Sequence, residues 1–298
     1  MKTIVLLVSF VALAVASLDL SKFKKIEELD EFWAQLDPRL QQLREKSIPN
    51  HRIINGEEAA PGQFPYQTLT LSFFANGQSG LCGGTLLSNN FVMTAAHCVV
   101  FENLATHGTS ILGAINRLEE EATQQRIAFG TITVHPNYIA SLLRNDIAVI
   151  ELATPAVFND YVQPVRLPAT SDERTFAGMT GIISGFGRTT DETGSPVSSV
   201  LMHTSNPILS NADCQAIWGT IWVGAQNICL SPEGARTTCH GDSGGPLTIV
   251  DDDGLTVQVG VTSFVHSNGC VTSFPAGFVR TSHYLTWIGE STDVVLRT

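Results

Sequence analysis

The sequence predicts an all-β domain, a sandwich or a barrel, preceded by an amino-terminal extension of different character. Two observations carry this. From Ile53 onward no stretch sustains long helical periodicity, and short apolar runs recur at 67–74, 91–96, 147–152, 180–184 and 257–264, broken by Gly, Pro, Asn and Ser. Runs of strand length between turn-forming residues are the mark of short strands, not of helices. From Ile53 onward, helical spacing is confined to Asn211–Trp218 and to the stretch from His283 to the C-terminus.

The extension comes first along the chain. Lys2 precedes apolar residues 4–8 and 10–16, ending in Ala14, Val15 and Ala16. This reads as a secretory signal peptide over residues 1–17, cut after Ala16 or Ser17. A membrane anchor would need about 20 apolar residues, more than are present. Residues 18–52 are crowded with charge, and Phe23, Ile26, Leu29, Phe32, Trp33 and Leu36 recur at three- and four-residue spacing. That pattern predicts an amphipathic helix ending at Pro38, either packed on the main domain or belonging to a removable propeptide. The junction His51-Arg52-Ile53-Ile54-Asn55-Gly56 favours removal, because a trypsin-type enzyme cutting after Arg52 would free a new amino terminus at Ile53.

Length and charge narrow the possible classes. A chain of 298 residues is long enough to bury one large core or two ordinary ones. Its 43% hydrophobic and 15% charged content fits a soluble globular protein, and a net charge of −11 argues against nucleic acid as a partner. From Ile53 onward there are nine arginines, no lysine and 21 acidic residues, a net charge of −12. Lacking lysine removes half of the kinds of bond that trypsin attacks, which suits a digestive enzyme in a gut lumen; the simpler account is an acidic solvated surface. Six cysteines, Cys82, Cys98, Cys214, Cys229, Cys239 and Cys270, form an even set behind a signal peptide, which predicts three disulfides in an oxidising compartment. Fifteen connectivities are open. No Cys-x-x-Cys or His-x-x-x-His spacing supports zinc, and no Asn-x-Ser/Thr acceptor occurs.

Chemistry is concentrated in Gly241-Asp242-Ser243-Gly244-Gly245-Pro246. A serine between glycines lets backbone amides approach a carbonyl oxygen. The run also satisfies the Gly-x-Ser-x-Gly pattern of α/β-hydrolases, whose acid and histidine come after the serine. Only 55 residues lie beyond Ser243, and His266 and His283 are the only histidines among them. Upstream stand Cys82-Gly83-Gly84-Thr85-Leu86, then Val92-Met93-Thr94-Ala95-Ala96-His97-Cys98, then Asn145-Asp146-Ile147-Ala148-Val149-Ile150. His97 alone would read as a structural histidine beside a disulfide, and Asp146 alone as a loop acid. Three motifs in the order His, Asp, Ser, with the Arg52 junction, make the catalytic reading the stronger one.

With these motifs, residues 53 to about 290 resemble the chymotrypsin-like, trypsin-fold serine proteases, especially insect and crustacean midgut chymotrypsins and collagenase-like members. The resemblance implies two packed six-stranded antiparallel β-barrels with a C-terminal helix and the active site in the cleft between them. It implies roles as well. Ser243 would attack the scissile carbonyl, His97 would act as base and then acid, and Asp146 would fix the His97 tautomer. The amides of Gly241 and Ser243 would form the oxyanion hole, and Ser263 would support Asp146. The Ile53 ammonium would pair with Asp242. Cysteine pairs would be Cys82 with Cys98, Cys214 with Cys229 and Cys239 with Cys270, leaving none to tether the propeptide.

The resemblance also places the pocket for the residue before the cleaved bond, the S1 pocket. Thr237 falls at its base, where trypsin-like members carry aspartate, and Ser263, Val265 and Ala276 fall on its walls. The implied pocket is neutral and apolar, for large apolar or aromatic residues first and small aliphatic ones second. Glu119-Glu120-Glu121 raises calcium, with a solvated loop as the plainer reading; Asp251-Asp252-Asp253-Gly254 reads as a turn. Gly80 stands where some relatives carry a histidine that keeps the zymogen latent, so the source of latency is left open.

The expected protein is therefore a secreted serine endopeptidase made as a zymogen, over residues 53–298, without cofactor or metal. Expected partners are protein or peptide substrates, an activating trypsin-like protease and protein inhibitors; a monomer without nucleic-acid or membrane partners is expected. Alternatives are an elastase-like specificity, an immune- or clotting-cascade protease, and a silent binding homologue. Residues 18–52 lack the cysteines of a cascade module, and no triad residue is missing.

Overall fold

The structure, a computed structural model, describes residues 24–25, 56–190, 195–266 and 269–298. The segment expected to be a signal peptide, residues 1–17, and the Arg52–Ile53 junction lie outside the described residues.

Two antiparallel barrels succeed one another along the chain. The first is built from β3 (Gln67–Phe73), β4 (Ser79–Leu86), β5 (Phe91–Thr94), β6 (His107–Leu112), β7 (Gln125–Val134) and β8 (Ala148–Leu152), in the order β4-β3-β6-β7-β8-β5. It closes where Thr85 and Leu86 of β4 pair with Met93 and Val92 of β5. The second comprises β9 (Thr180–Gly185), β10 (Met202–Leu209), β11 (Asn227–Leu230), β12 (Pro246–Val250), β13 (Thr256–Phe264) and β14 (Ala276–Arg280), ordered β11-β14-β13-β12-β9-β10 and closed by β10 with β11. A two-residue strand β2 (Glu57–Glu58) adds to β10.

The apolar runs read from the sequence form these strands because closing a sheet buries one face completely. Along β10, buried and more exposed positions alternate, the period-two pattern of a strand with one face inside. Leu86, Val92, Leu112, Ala148, Ile150 and Val162 fill the first barrel; Ile183, Ile208, Ile228, Leu247, Val259 and Phe278 fill the second. Burying each large apolar side chain contributes about 1.5–3 kcal/mol. A third cluster joins the barrels: Tyr66, Met93, Ile147 and Val149 from the first meet Val261, Val279, Leu285 and Ile288.

Helix α1 (Asn211–Trp218) starts at Ser210, whose hydroxyl accepts from Asp213 N at 3.1 Å. The predicted C-terminal helix is shorter than the sequence reading. A 3-10 turn covers Thr281–Tyr284, α2 covers Leu285–Ser291, and Thr292 returns to extended backbone. The tail then runs along the segment that links the two barrels, where Arg297 Nη2 donates to Leu167 O at 2.8 Å and Thr170 N to Arg297 O at 2.8 Å.

The amphipathic helix expected from the spacing of Phe23 to Leu36, ending at Pro38, is corrected at the one point of it that is described. Lys24–Lys25 form a strand, β1, parallel to Gly80 and Leu81 at the start of β4. That part of β4 is not covered by β5, which pairs with β4 only at Thr85 and Leu86. An open sheet edge offers unpaired backbone groups, and pairing to it overrides local helical spacing.

Candidate active site

The first barrel delivers two of the groups. After β5 the chain turns through a 3-10 segment, Ala96–Cys98, which buries His97, and Cys98 is bonded to Cys82 of β4 with Cα atoms 6.0 Å apart. Asp146, just before β8, is fully buried. Its Oδ1 accepts the His97 backbone N–H at 2.9 Å, and its Oδ2 faces His97 Nδ1 at 2.8 Å. Ser263 on β13 of the second barrel donates its hydroxyl to the same Oδ2 at 2.6 Å. A carboxylate only accepts, so Nδ1 carries the proton and Nε2 is left with the basic lone pair.

Asn145, next to Asp146 in its motif, and Tyr284 and Asn137, which belong to none, frame this pair. Tyr284 donates to Asn145 Oδ1 at 2.8 Å, and Asn145 Nδ2 donates to Asn137 O at 2.6 Å, holding the turn before Asp146 with Asn145 at φ +51°. Burial, then the charge of Asp146, pushes the hydroxyls of Tyr138 and Tyr284 above the usual phenol range.

The second barrel delivers the serine. Ser243 is buried in the loop between Cys239 and β12, and its carbonyl oxygen accepts from Gly83 N of the first barrel at 2.8 Å. A Cβ on Gly83 would stand 2.8 Å from Gly245 Cα, so this crossing requires glycine. Gly244 N donates to Thr262 O and Thr262 N to Gly245 O, which stitches the loop to β13. Gly241, at φ +100°, takes a conformation that a side chain would strain. Asp242 is buried, and its carboxylate accepts Gly187 N at 2.7 Å and Cys239 N at 2.9 Å.

The other expected positions lie on the second half of the chain, around the second barrel. Thr237, Ser263 and Ala276 are buried, and Val265 packs half-buried against the second barrel's core. Cys239 is bonded to Cys270, joining the loop after Thr237 to the segment after Val265. Behind that segment, Trp218 meets Phe264 edge-on at 5.2 Å and Phe274 at 5.0 Å, and the His266 ring lies 4.1 Å from Phe274. Burial holds the His266 imidazole below its usual pKa. None of Thr237, Ser263, Val265 and Ala276 carries a charge at neutral pH. Cys214 is bonded to Cys229. Each of the three closed loops contributes about 3 kcal/mol in the chain-entropy picture.

Two acidic clusters have structural duties. Glu121 accepts from Ile115 N, Asn116 N and Gln124 Nε2, bracing its own loop, and Asp251 and Asp253 pair with Arg174 and Arg166 at a turn between β12 and β13. Among the described residues, only Cys82, His97 and Cys98 cluster as metal ligands would, and there both sulfurs are in a disulfide and His97 serves Asp146.

A profile of the trypsin family matches residues 53–288. The chain belongs to the trypsin family. Family members are serine proteases, hydrolases acting on protein substrates. This member is 38% identical over 242 residues to brachyurin of Leptuca pugilator, covering 81% of this chain and 99% of that protein. It is 34% identical over 242 residues to chymotrypsin-C of Mus musculus, covering 80% and 88%. It is 33% identical over 242 residues to trypsin-1 of Astacus astacus, covering 79% and 98%. The solved structure of an HL collagenase aligns with TM-score 0.72 and 30% identity over 81% of this chain and 99% of that one. No helix among the described residues is long and apolar enough to cross a membrane.

Proposed function

We propose that this trypsin-family protease is a secreted digestive endopeptidase, made as a zymogen, with Ser243, His97 and Asp146 as its triad and a neutral S1 pocket based on Thr237. The observation that carries the triad is the buried contact of His97 Nδ1, the His97 amide and the Ser263 hydroxyl with one carboxylate. It leaves Nε2 as the proton acceptor. Ser243 Oγ attacks the substrate carbonyl as Nε2 takes its proton, and the imidazolium is stabilised by Asp146. The oxyanion collects the amides of Gly241 and Ser243, each such donor contributing about 10²- to 10³-fold in rate. Collapse expels the amine, protonated by His97, and leaves an acyl-enzyme. Water, deprotonated by His97, then releases the acid and restores Ser243.

Activation is assigned to cleavage after Arg52. The freed Ile53 ammonium would pair with Asp242, whose buried carboxylate, already held by Gly187 and Cys239, gains a counter-charge. Upstream, Lys24–Lys25 touch the catalytic domain through backbone pairing with β4, and no cysteine tethers them. The cut propeptide should therefore dissociate.

The relatives' names, chymotrypsin-C and trypsin-1 among them, do not choose the specificity. Thr237 supports apolar residues over Lys and Arg at the cleaved position. The half-buried Val265 favours a second reading, a narrowed, elastase-like pocket. The test is the cleavage profile of the trypsin-treated protein on peptides ending in Phe, Leu, Ala or Arg. Phe or Leu preference supports the main reading and Ala preference the second; Arg preference overturns both.

A further inference from the structure

Asn206 lies on β10, more than twenty residues in sequence from the segment it holds, and is 2% exposed. The pairing of β10 with β11 runs through Leu209 with Cys229 and Ile208 with Leu230, and one more bond, Ser231 N to Pro207 O at 2.9 Å, continues it. In an antiparallel ladder the next bond would return from the amide of residue 207 to Ser231 O. Proline has no amide hydrogen. Ser231 O instead accepts from Asn206 Nδ2 at 2.7 Å.

The same Nδ2 reaches two further carbonyl oxygens, Glu233 O at 2.8 Å and Arg236 O at 2.7 Å. Three acceptors around one end of the amide fix its orientation, since the amide oxygen would repel all of them. The bonds gather both ends of a turn that includes Gly234 at φ +63° and Ala235 at φ +55°, the latter a conformation that costs a non-glycine residue. Arg236 O is the last carbonyl before Thr237.

We propose that Asn206 is a positioning residue for substrate selection: through Ser231, Glu233 and Arg236 it sets the depth at which Thr237 closes the S1 pocket. The inference rests on the reading of Thr237 as the pocket base. Asn206 does not touch substrate; it converts a strained, irregular turn into a fixed floor. Large side chains at the cleaved position reach that floor, and glycine does not.

The test compares Asn206→Leu, similar in volume but without donors, with wild type, both trypsin-activated and counted by active-site titration. Substrates differ only at the cleaved position: Phe, Leu or Gly. Expected is a fall of about tenfold in kcat/KM for Phe and Leu, carried by KM, with Gly changed less than about twofold. An equal loss on all three substrates, or no loss, overturns the proposal. Should Asn206→Leu not fold, Asn206→Ser, whose hydroxyl can serve one carbonyl, must show the same substrate-dependent pattern in smaller degree. Thr237→Asp separates the two readings. If it leaves the Phe, Leu and Gly profile unchanged, the pocket reading has failed; if it changes the profile while Asn206→Leu does not, the Asn206 proposal alone has failed.

Discussion

Replacing Asp146 by asparagine keeps its shape and inverts one half of its chemistry. The backbone N–H of His97, a donor whatever the side chain does, faces Oδ1 at 2.9 Å. The asparagine oxygen must therefore take that place, and its NH₂ must take the place of Oδ2, 2.8 Å from His97 Nδ1. An NH₂ there requires Nδ1 to accept, which moves the imidazole proton to Nε2. A protonated Nε2 cannot take the Ser243 proton. Restoring the working tautomer sets N–H against N–H in a buried site and forfeits a hydrogen bond worth roughly 4–6 kcal/mol in such surroundings. At about 1.4 kcal/mol per tenfold, kcat should fall about 10³- to 10⁴-fold. The family's reference triad loses about 10⁴-fold on the same change, a figure carried over and not worked from these distances. The assay is kcat of the trypsin-activated variant on its best peptide, with circular dichroism to show an intact fold. A folded Asp146→Asn enzyme within about tenfold of wild type would refute the tautomer argument.

Neighbouring contacts yield further predictions. Ser263→Ala removes a charge-assisted bond worth about 1.5–3 kcal/mol, which for a domain of this size lowers Tm by about 3–12 °C. Because both His97 donors to Asp146 remain, kcat should fall less than about tenfold; an unchanged Tm, or a kcat loss as deep as that of Asp146→Asn, would contradict it. His266 is held neutral by burial, so its folded pKa lies below the unfolded value of about 6.5. Its contribution to stability is complete above about pH 6.5 and is lost as pH falls toward the depressed value, where the unfolded chain binds the extra proton. His266→Phe, which can still stack on Phe274, should flatten part of the fall in Tm between about pH 7.5 and about pH 5. His135 and His283, also depressed by burial, keep the rest of the slope. A slope identical to wild type would show that His266 takes no part. Arg52→Ala should prevent activation by trypsin, and retained processing would place the activation cut elsewhere.

What the sequence revealed depended on how local the signal was. The stretches around His97, Asp146 and Ser243 each carry a motif within a few residues, because a turn, a strand start and a glycine loop are built from neighbours. Strand runs were legible for the same reason: β3, β5, β8, β9 and β13 fall within one or two residues of the apolar runs. Cysteine pairing was not in the spacing and came only through the family resemblance. The helical spacing around Phe23 gave way to a strand at Lys24–Lys25, because the open edge of β4 cannot be seen from the extension's own residues. Glu121 looked like a possible ion ligand, and only the fold shows it committed to amides of its own loop. Asn206 had one faint signal, the proline next to it in a strand.

The central claim is that Ser243 becomes the nucleophile when the chain is cut after Arg52. The most direct measurement treats the protein with a serine-directed fluorophosphonate before and after trypsin, then reads intact mass and maps the adduct by peptide sequencing. The account predicts one adduct, on Ser243, formed rapidly only in chains that begin at Ile53, and abolished in Ser243→Ala. An adduct on another residue, or equally fast labelling of Ser243 in the uncut chain, would contradict it.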